Sequence, residues 1–353
     1  MKVLSIVGAR PQFVKLAPVA DAFAPTQNQH VIVHTGQHYD VAMSNVFFAD
    51  LKIPDPDVHL GVGSGSHGTQ TGAMLSALDG VLDEHRPDWV LVFGDTNSTI
   101  AGALAAVKMH LPIAHVEAGL RSFNRRMPEE HNRVLTDHAA DLLLAPTQVA
   151  MGHLAREGLA ERSVLVGDVM TDVCLRVRDA VVSQPVSLPE AFPADDSYLV
   201  STIHRAENTD DPQRLRAIVD SLAGLPLPVL LLAHPRLVAR CREYNIDLNA
   251  GSIHSTNPLP YPEMVSAVLN SAGVVTDSGG LQKEAFLLER TCTTLRTETE
   301  WTETLESGWN VLAPDLSALS RLVTRVAPTA PQGAPYGDGK AAERILDTLV
   351  NHA

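Results

Sequence analysis

The chain of 353 residues is longer than one ordinary hydrophobic core, so two domains are expected. A hydrophobic fraction of 45% with 19% charged residues excludes a disordered chain, and a formal net charge of -14 argues against nucleic acid or an anionic membrane as partner. Any phosphate it binds must then be held by local groups. Cys174, Cys241 and Cys292 are widely spaced and lack a CxxC pattern, which reads as reduced core residues. The opening MKVLSIVGARPQ carries too short an apolar run for a signal peptide, and no later run is long enough to span a bilayer. The cytoplasm is the expected compartment.

In chain order, KVLSIVG, HVIVHTG, DWVLVFGD, PIAHVEAG and DLLLAPT read as strands, with helical patterns such as AGALAAVKMH between them. That rhythm predicts a parallel sheet with helices on both faces. GVGSGSHG, residues 61–68, reads as a mobile loop, and VSQPVSLPEAFPADD, residues 182–196, as a proline-rich surface linker. The strand pattern resumes with SYLVSTIH, PVLLLAHP, AGVVTDSGG and TTLR, and the end of the chain reads as an amphipathic helix. The expected fold is α/β with two Rossmann-like doubly wound domains. Ligands of such sheets sit beyond the carboxyl ends of the strands, where this chain collects Arg10, Asp95, Glu117, His204, His234, Asp277 and Ser278.

In GARPQFVK, Arg10 and Lys15 place two cations near a helix start, where an anion is already favoured. No GxGxxG follows the first strand, so a dinucleotide is not expected there. Asp95 and Glu117 each end a strand: they either cap the next helix or share one crevice, where neighbouring carboxylates split acid from base by raising each other's pKa. Glu129 and Glu130 at the start of a helix suit its dipole, and only one of them can also reach a cleft. His204 and Arg205 can meet a phosphate. The Ser278, Gly279, Gly280 turn either only reverses the chain or offers bare backbone amides and a hydroxyl to an anion, with the helix running from Leu281. His34 and His38 lack a third ligand, so no metal is expected, and no GxSxG elbow suggests a hydrolase nucleophile.

Eight segments, GARPQFVKLAPV, HTGQHYD, GDTNST, HVEAGLRS, PEEHNRVLTDH, VGDVMTDV, STIHRAEN and TDSGGLQKEA, in this order, resemble bacterial non-hydrolysing UDP-N-acetylglucosamine 2-epimerases over nearly the whole chain. The resemblance implies a glycosyltransferase-B-like fold with the active site in the interdomain cleft. It implies a first domain of residues 1–169 completed by a C-terminal helix 339–353, and a UDP-binding domain of residues 170–338. By motif, Ser278, Gly279 and Gly280 bind the diphosphate, Glu284 accepts from the ribose hydroxyls, and Met264 lends backbone to the uracil loop. Arg10, Lys15, Arg133 and His204 meet the diphosphate or sugar, and Asp95, Glu117 and Glu129 fall at acid/base positions, with His204 grouped among the catalytic residues. Gln37, His38 and His234 fall at a possible allosteric site for a second nucleotide sugar. No cofactor and no metal are implied, and a homodimer is.

The implied reaction interconverts UDP-GlcNAc and UDP-ManNAc by elimination and re-addition of UDP through a 2-acetamidoglucal. Two departures bear on the sugar. Commoner openings read Thr-Arg-Pro-Glu where this chain has ARPQ, and a common Glu-Arg-Pro-Glu segment is ETEWTET after Arg296. Similar changes occur in relatives acting on UDP-2,3-diacetamido-2,3-dideoxyglucuronic acid, which stands as an alternative substrate. A hydrolysing epimerase releasing ManNAc and UDP, a glycosyltransferase of the same fold and a non-catalytic UDP-sugar sensor are the other readings.

Overall fold

The computed structural model describes residues 1–37, 53–184, 192, 197–329 and 332–352. His38, most of the proline-rich segment 182–196 and the side chain of Arg10 lie outside the described residues. The chain divides into two compact units, Met1–Val173 with Ala334–Ala353, and Cys174–Gly333.

The first unit runs β1 (Lys2–Val7), α1 (Arg10–Phe23), β2 (Gln29–His34), β3 (Val58–His59), α2 (His67–His85), β4 (Trp89–Phe93), α3 (Asn97–Lys108), β5 (Ile113–Val116), α4 (Pro128–Ala139), β6 (Leu142–Ala145), α5 (Gln148–Arg156), β7 (Ser163–Leu165) and the start of α6 (Val169–Ser183). Its sheet has the order β3-β2-β1-β4-β5-β6-β7, with every pair parallel. The central strands are buried along their whole length, as helices on both faces require, which is why they read as continuous apolar runs. The C-terminal helix Ala341–Asn351 belongs to this unit: Ile345 and Leu349 join the core of Phe13, Leu16 and Phe93, and Asp172 accepts from the amides of Ala341 and Ala342 at 3.0 and 2.8 Å.

β1 and β4 are neighbours whose connections leave to opposite sides, so the turns beyond their carboxyl ends diverge. The turn after β1 is built for close approach. A Cβ on Gly8 would stand 1.8 Å from Thr35 Oγ1 and 2.5 Å from Ser98 Oγ. Gln12, 1% exposed, ties this turn to the next strand: its Oε1 accepts from the amides of Gly8 and Ala9, and its Nε2 donates to Phe93 O at 3.0 Å. An ionised glutamate there would lack that donor.

The second unit runs β8 (Leu199–Thr202), α7 (Ala206–Thr209), α8 (Pro212–Ala223), β9 (Val229–Leu232), α9 (Pro235–Glu243), β10 (Ile253–Thr256), α10 (Tyr261–Leu269), β11 (Gly273–Thr276), α11 (Gly279–Leu287), β12 (Cys292–Thr294), α12 (Thr302–Glu306), β13 (Asn310–Leu312) and α13 (Leu319–Val323). Its parallel order, β10-β9-β8-β11-β12-β13, repeats the doubly wound arrangement and puts its parting point between β8 and β11. Leu231 and Val275 are fully buried in its core, and truncating a leucine so placed costs about 2–5 kcal/mol.

Four strands, β3, β7, β10 and β13, were absent from the expected set because they are short, lie at or next to a sheet edge and carry mixed burial instead of an apolar run. The segment 61–68, read as a loop, makes regular backbone contacts and enters a helix. Val62 and Gly63 donate to Thr35 and Gly36 carbonyls at 3.0 and 3.1 Å, and its last two residues open α2 behind the Ser66 cap.

Candidate active site

At the end of β4 the helix cap is Thr96, whose side chain accepts from Thr99 N, so Asp95 is not the cap. Its Oδ2 instead accepts from Arg133 Nη2 at 2.6 Å, while Arg133 Nη1 donates to Glu130 Oε2 at 3.0 Å. Asp95 and Glu129 line one cavity of about 230 Å³ together with Gln37, His67, Asn97 and Asn132. Glu130 is turned inward and accepts from Ser122 N, Ser122 Oγ and Phe123 N, each at 2.9 Å. Burial raises the Glu130 carboxyl, but the Ser122 and Phe123 donors and Arg133 outweigh it and hold the group below the usual glutamate range. Of the two acids at the start of α4, Glu130 braces the loop and Glu129 faces the cavity.

Glu117 follows β5 in the left-handed region, with φ of +71°, a conformation costing about 1–2 kcal/mol for an L-residue. It is 9% exposed and pairs with Lys15 Nζ. The pair packs on Gly94, where an added Cβ would stand 3.0 Å from Lys15 Nζ and 3.1 Å from Glu117 Oε2. Glu117 therefore lies against the residue preceding Asp95. The acids do not simply face one another. Asp95 and Glu117 each pair with a cation, so Lys15 and Arg133, both expected to meet phosphate or sugar, hold carboxylates.

Below Glu117 lies a network that the motifs did not reveal. His115, fully buried, meets Asp137 Oδ1 through Nδ1 at 2.6 Å and Gly94 O through Nε2 at 2.8 Å. Asp137 Oδ2 accepts from Gly119 N at 3.0 Å and pairs with Arg121 at 2.7 Å, and Arg121 forks onto Glu157. These contacts clamp the turn that carries Glu117 from both sides. One signal was available: Asp137 sits in the last turn of α4, where the helix dipole disfavours an anion unless tertiary contacts compensate.

In the second unit Asp277, directly after β11, is fully buried and accepts from His204 N, Arg205 N and Asn208 Nδ2 at 3.0–3.1 Å, with His204 Nδ1 at 3.2 Å. Burial pushes its carboxyl up, yet His204, Asn208 and the Arg205 amide together hold it below the ordinary aspartate range. The turn bearing His204 and Arg205 is thus fastened to the turn bearing Ser278. Helix α11 begins at Gly279, two residues earlier than the sequence suggested, because Ser278 caps it by accepting from Leu281 N at 3.3 Å. A Cβ on Gly280 would meet only Ser278 Oγ at 3.8 Å, an ordinary contact, so packing within the protein does not require glycine there.

Glu284 lies on the next turn of α11, 6% exposed, and with burial it raises the Tyr261 phenol. Met264 donates its amide to Pro260 O at 2.9 Å and packs its side chain on the core, so the amide is engaged within α10. His234 caps α9 by accepting from Arg236 N, and its ring lies 5.5 Å from that of His204. Gln37 Oε1 accepts from Ser98 N and Oγ at 3.0 and 2.7 Å, which places it in the cavity wall with Asp95 and Glu129.

Residues 22–350 match the protein family described as UDP-N-acetylglucosamine 2-epimerase. The chain is 45% identical to the UDP-2,3-diacetamido-2,3-dideoxy-D-glucuronate 2-epimerase of Pseudomonas aeruginosa over 99% of each chain. It is similar to the crystal structure of Methanocaldococcus jannaschii UDP-GlcNAc 2-epimerase in complex with UDP-GlcNAc and UDP, with a TM-score of 0.88, 39% identity, and coverage of 99% of this chain and 100% of that one. The Neisseria meningitidis UDP-GlcNAc 2-epimerase bound to UDP-GlcNAc gives a TM-score of 0.90 at 27% identity over 99% of this chain and 100% of that one. The two parallel-sheet units are accordingly glycosyltransferase-B-like.

The clamp under Glu117 predicts a pH signature. Burial raises the Asp137 carboxyl, but His115 and Arg121 bring it below its ordinary 3.8. A depressed folded value contributes stability that is complete above the unfolded value and is lost as pH falls through the folded one. Asp137→Asn is expected to lower stability by about 3–5 kcal/mol at pH 7. In denaturant titrations the gap from the parent chain should shrink below about pH 4; a gap constant from pH 7 to 3 would contradict this role.

Proposed function

The chain belongs to the UDP-N-acetylglucosamine 2-epimerase family, and from that premise we propose that it inverts carbon 2 of a UDP-linked N-acetylated amino sugar without hydrolysing it. The observation that carries the reading is the grouping in the first unit: Asp95 and Glu129 on one cavity, and Glu117 packed against the adjoining Gly94. The second unit supports it with a capped, glycine-bearing helix start beside His204 and Arg205.

The chemistry explains why these groups are needed. Carbon 2 has no neighbouring carbonyl, so its proton is not acidic and direct removal faces a high barrier. Breaking the bond between carbon 1 and the phosphate oxygen sends its electron pair to UDP and leaves positive charge at the ring. A carboxylate can then take the carbon 2 proton, giving a 2-acetamidoglucal. Proton return from the opposite face and re-addition of UDP complete the inversion. In this reading the amides of Gly279 and Gly280, with His204 and Arg205, stabilise the leaving diphosphate. Asp95, Glu117 and Glu129 serve the sugar as acid, base and electrostatic support. Lys15 and Arg133 act through them, holding Glu117 and Asp95 in place.

The reference substrate pair is UDP-GlcNAc and UDP-ManNAc. A second reading, UDP-2,3-diacetamido-2,3-dideoxyglucuronic acid, is favoured by the 45% identical relative of that name. We further propose a homodimer acting in the cytoplasm, where nucleotide sugars are made; among the described residues no helix is long and apolar enough to cross a membrane.

Asp95→Asn and Glu117→Gln are each expected to keep UDP binding by calorimetry while lowering turnover about 100-fold or more. Retained turnover in both would remove their assigned roles. Gly280→Ala separates nucleotide binding from folding. Alanine fits the helical backbone, so stability should hold or rise by up to about 1 kcal/mol, whereas UDP affinity should drop about tenfold or more through the methyl group on the phosphate-facing backbone. Unchanged UDP affinity would remove the cradle.

A further inference from the structure

The cavity shared by Asp95 and Glu129 has a further polar wall, formed by His67. His67 is the first residue of α2, behind the Ser66 cap, and Asn97 is the first residue of α3, behind the Thr96 cap, so both side chains leave backbone that is held in place. His67 Nδ1 stands 3.2 Å from Asn97 Oδ1. Asn97 Nδ2 donates in turn to Gln70 Oε1 at 2.8 Å, and Gln70 Nε2 donates to Gln37 O and Gly63 O at 3.2 and 2.8 Å.

These contacts run in one direction only. Backbone carbonyls accept and never donate, so the Gln70 amide has a single orientation, with its nitrogen on the two carbonyls and its oxygen on Asn97. That orients the Asn97 amide as well, and its oxygen is the atom facing the ring. In the neutral imidazole Nδ1 must therefore carry the hydrogen, which leaves Nε2 a bare acceptor. Nε2 meets no hydrogen-bond partner among the described residues. Gln70 and Asn97 are buried and His67 is exposed, so the relay is anchored inside the unit and ends at the cavity.

An acceptor on that wall calls for a donor on the sugar. Asp95 or Glu129 must come within reach of the hydrogen on carbon 2, so the substituents brought into this cavity are those of carbon 2 and of its neighbour carbon 3. The acetamido group on carbon 2 changes direction when that carbon inverts, and a rigid acceptor cannot serve it in both epimers. The group on carbon 3 keeps its place through both epimers and the glycal. It is a donor in both sugars, a hydroxyl in UDP-GlcNAc and an amide N–H in the diacetamido sugar. Resting on the epimerase reading, we propose that His67 Nε2 accepts a hydrogen bond from the carbon 3 donor, and that Gln70 and Asn97 lock the ring in the tautomer that does so. His67 is then a specificity-determining residue that holds the sugar ring still while carbon 2 inverts.

The test uses the full chain and its His67→Phe form with UDP-GlcNAc, UDP-2,3-diacetamido-2,3-dideoxyglucuronic acid and the 3-deoxy counterpart of each, measuring calorimetric Kd and kcat/KM. In the parent, removing the carbon 3 donor should lower kcat/KM about tenfold for the sugar that turns over. In His67→Phe, which keeps a ring but no acceptor, that sugar should already be down about tenfold, and its 3-deoxy counterpart should lose no more than about twofold further. The Kd of free UDP should stay within about twofold of the parent. Independently of turnover, 15N NMR of the histidine rings, with His67 identified by its absence in His67→Phe, should show the neutral ring with its hydrogen on Nδ1. A 3-deoxy cost undiminished in His67→Phe, no such cost in the parent, or hydrogen on Nε2 of the neutral ring overturns the proposal. An equal loss of both sugars and of free UDP in His67→Phe also overturns it, because the ring would then serve the nucleotide. A carbon 3 preference in Kd that disappears in His67→Phe, without turnover of either sugar, would instead defeat the epimerase reading and leave the His67 contact standing.

Discussion

Where two neighbouring parallel strands send their connections to opposite sides of a sheet, the turns beyond their carboxyl ends diverge and leave a crevice, and both units of this protein are organised by that constraint. In the first, the turns beyond β1 and β4 carry Gly8 and Asp95. In the second, the turns beyond β8 and β11 carry His204 and Ser278. Backbone there is released from the ladder, so side chains must anchor it. Gln12 does this beside β1 and Asp277 does it beside β11, each buried and each bonded to backbone of the facing turn.

Placing carboxylates at such points carries a desolvation cost, and the structure offsets it with cations from distant parts of the chain. Lys15 reaches Glu117, and Arg133 spans Asp95 and Glu130. The left-handed backbone of Glu117 adds strain, which the clamp of His115, Asp137 and Arg121 holds in place. Strain of this kind persists where surrounding contacts over-determine it.

The alternation of strand and helix was legible because buried parallel strands must be apolar throughout, and the polar residue that ends each run is conspicuous. The start of α11 was legible to within two residues: Ser278 was read as part of the turn, and its capping role moved the start to Gly279; the helix read from AGALAAVKMH begins four residues earlier, at Asn97. What the sequence concealed were partners. Lys15 and Glu117 are separated by 102 positions, so charge type alone suggested a phosphate ligand for the lysine where the fold supplies a carboxylate. Gln12 was visible only as a departure from a commoner glutamate, and its purpose needed the carbonyl of Phe93. Edge strands such as β7 and β10 carry too little apolar signal to be read without the pairing that forms them.

The proposed reaction removes and returns a proton at carbon 2, with UDP departing and rejoining. The most direct measurement is NMR of the nucleotide sugars recovered after incubation in heavy water. The account predicts intact UDP-sugar in both C2 configurations with deuterium at carbon 2. Epimers formed without deuterium, or stoichiometric free UDP and free sugar, would contradict it.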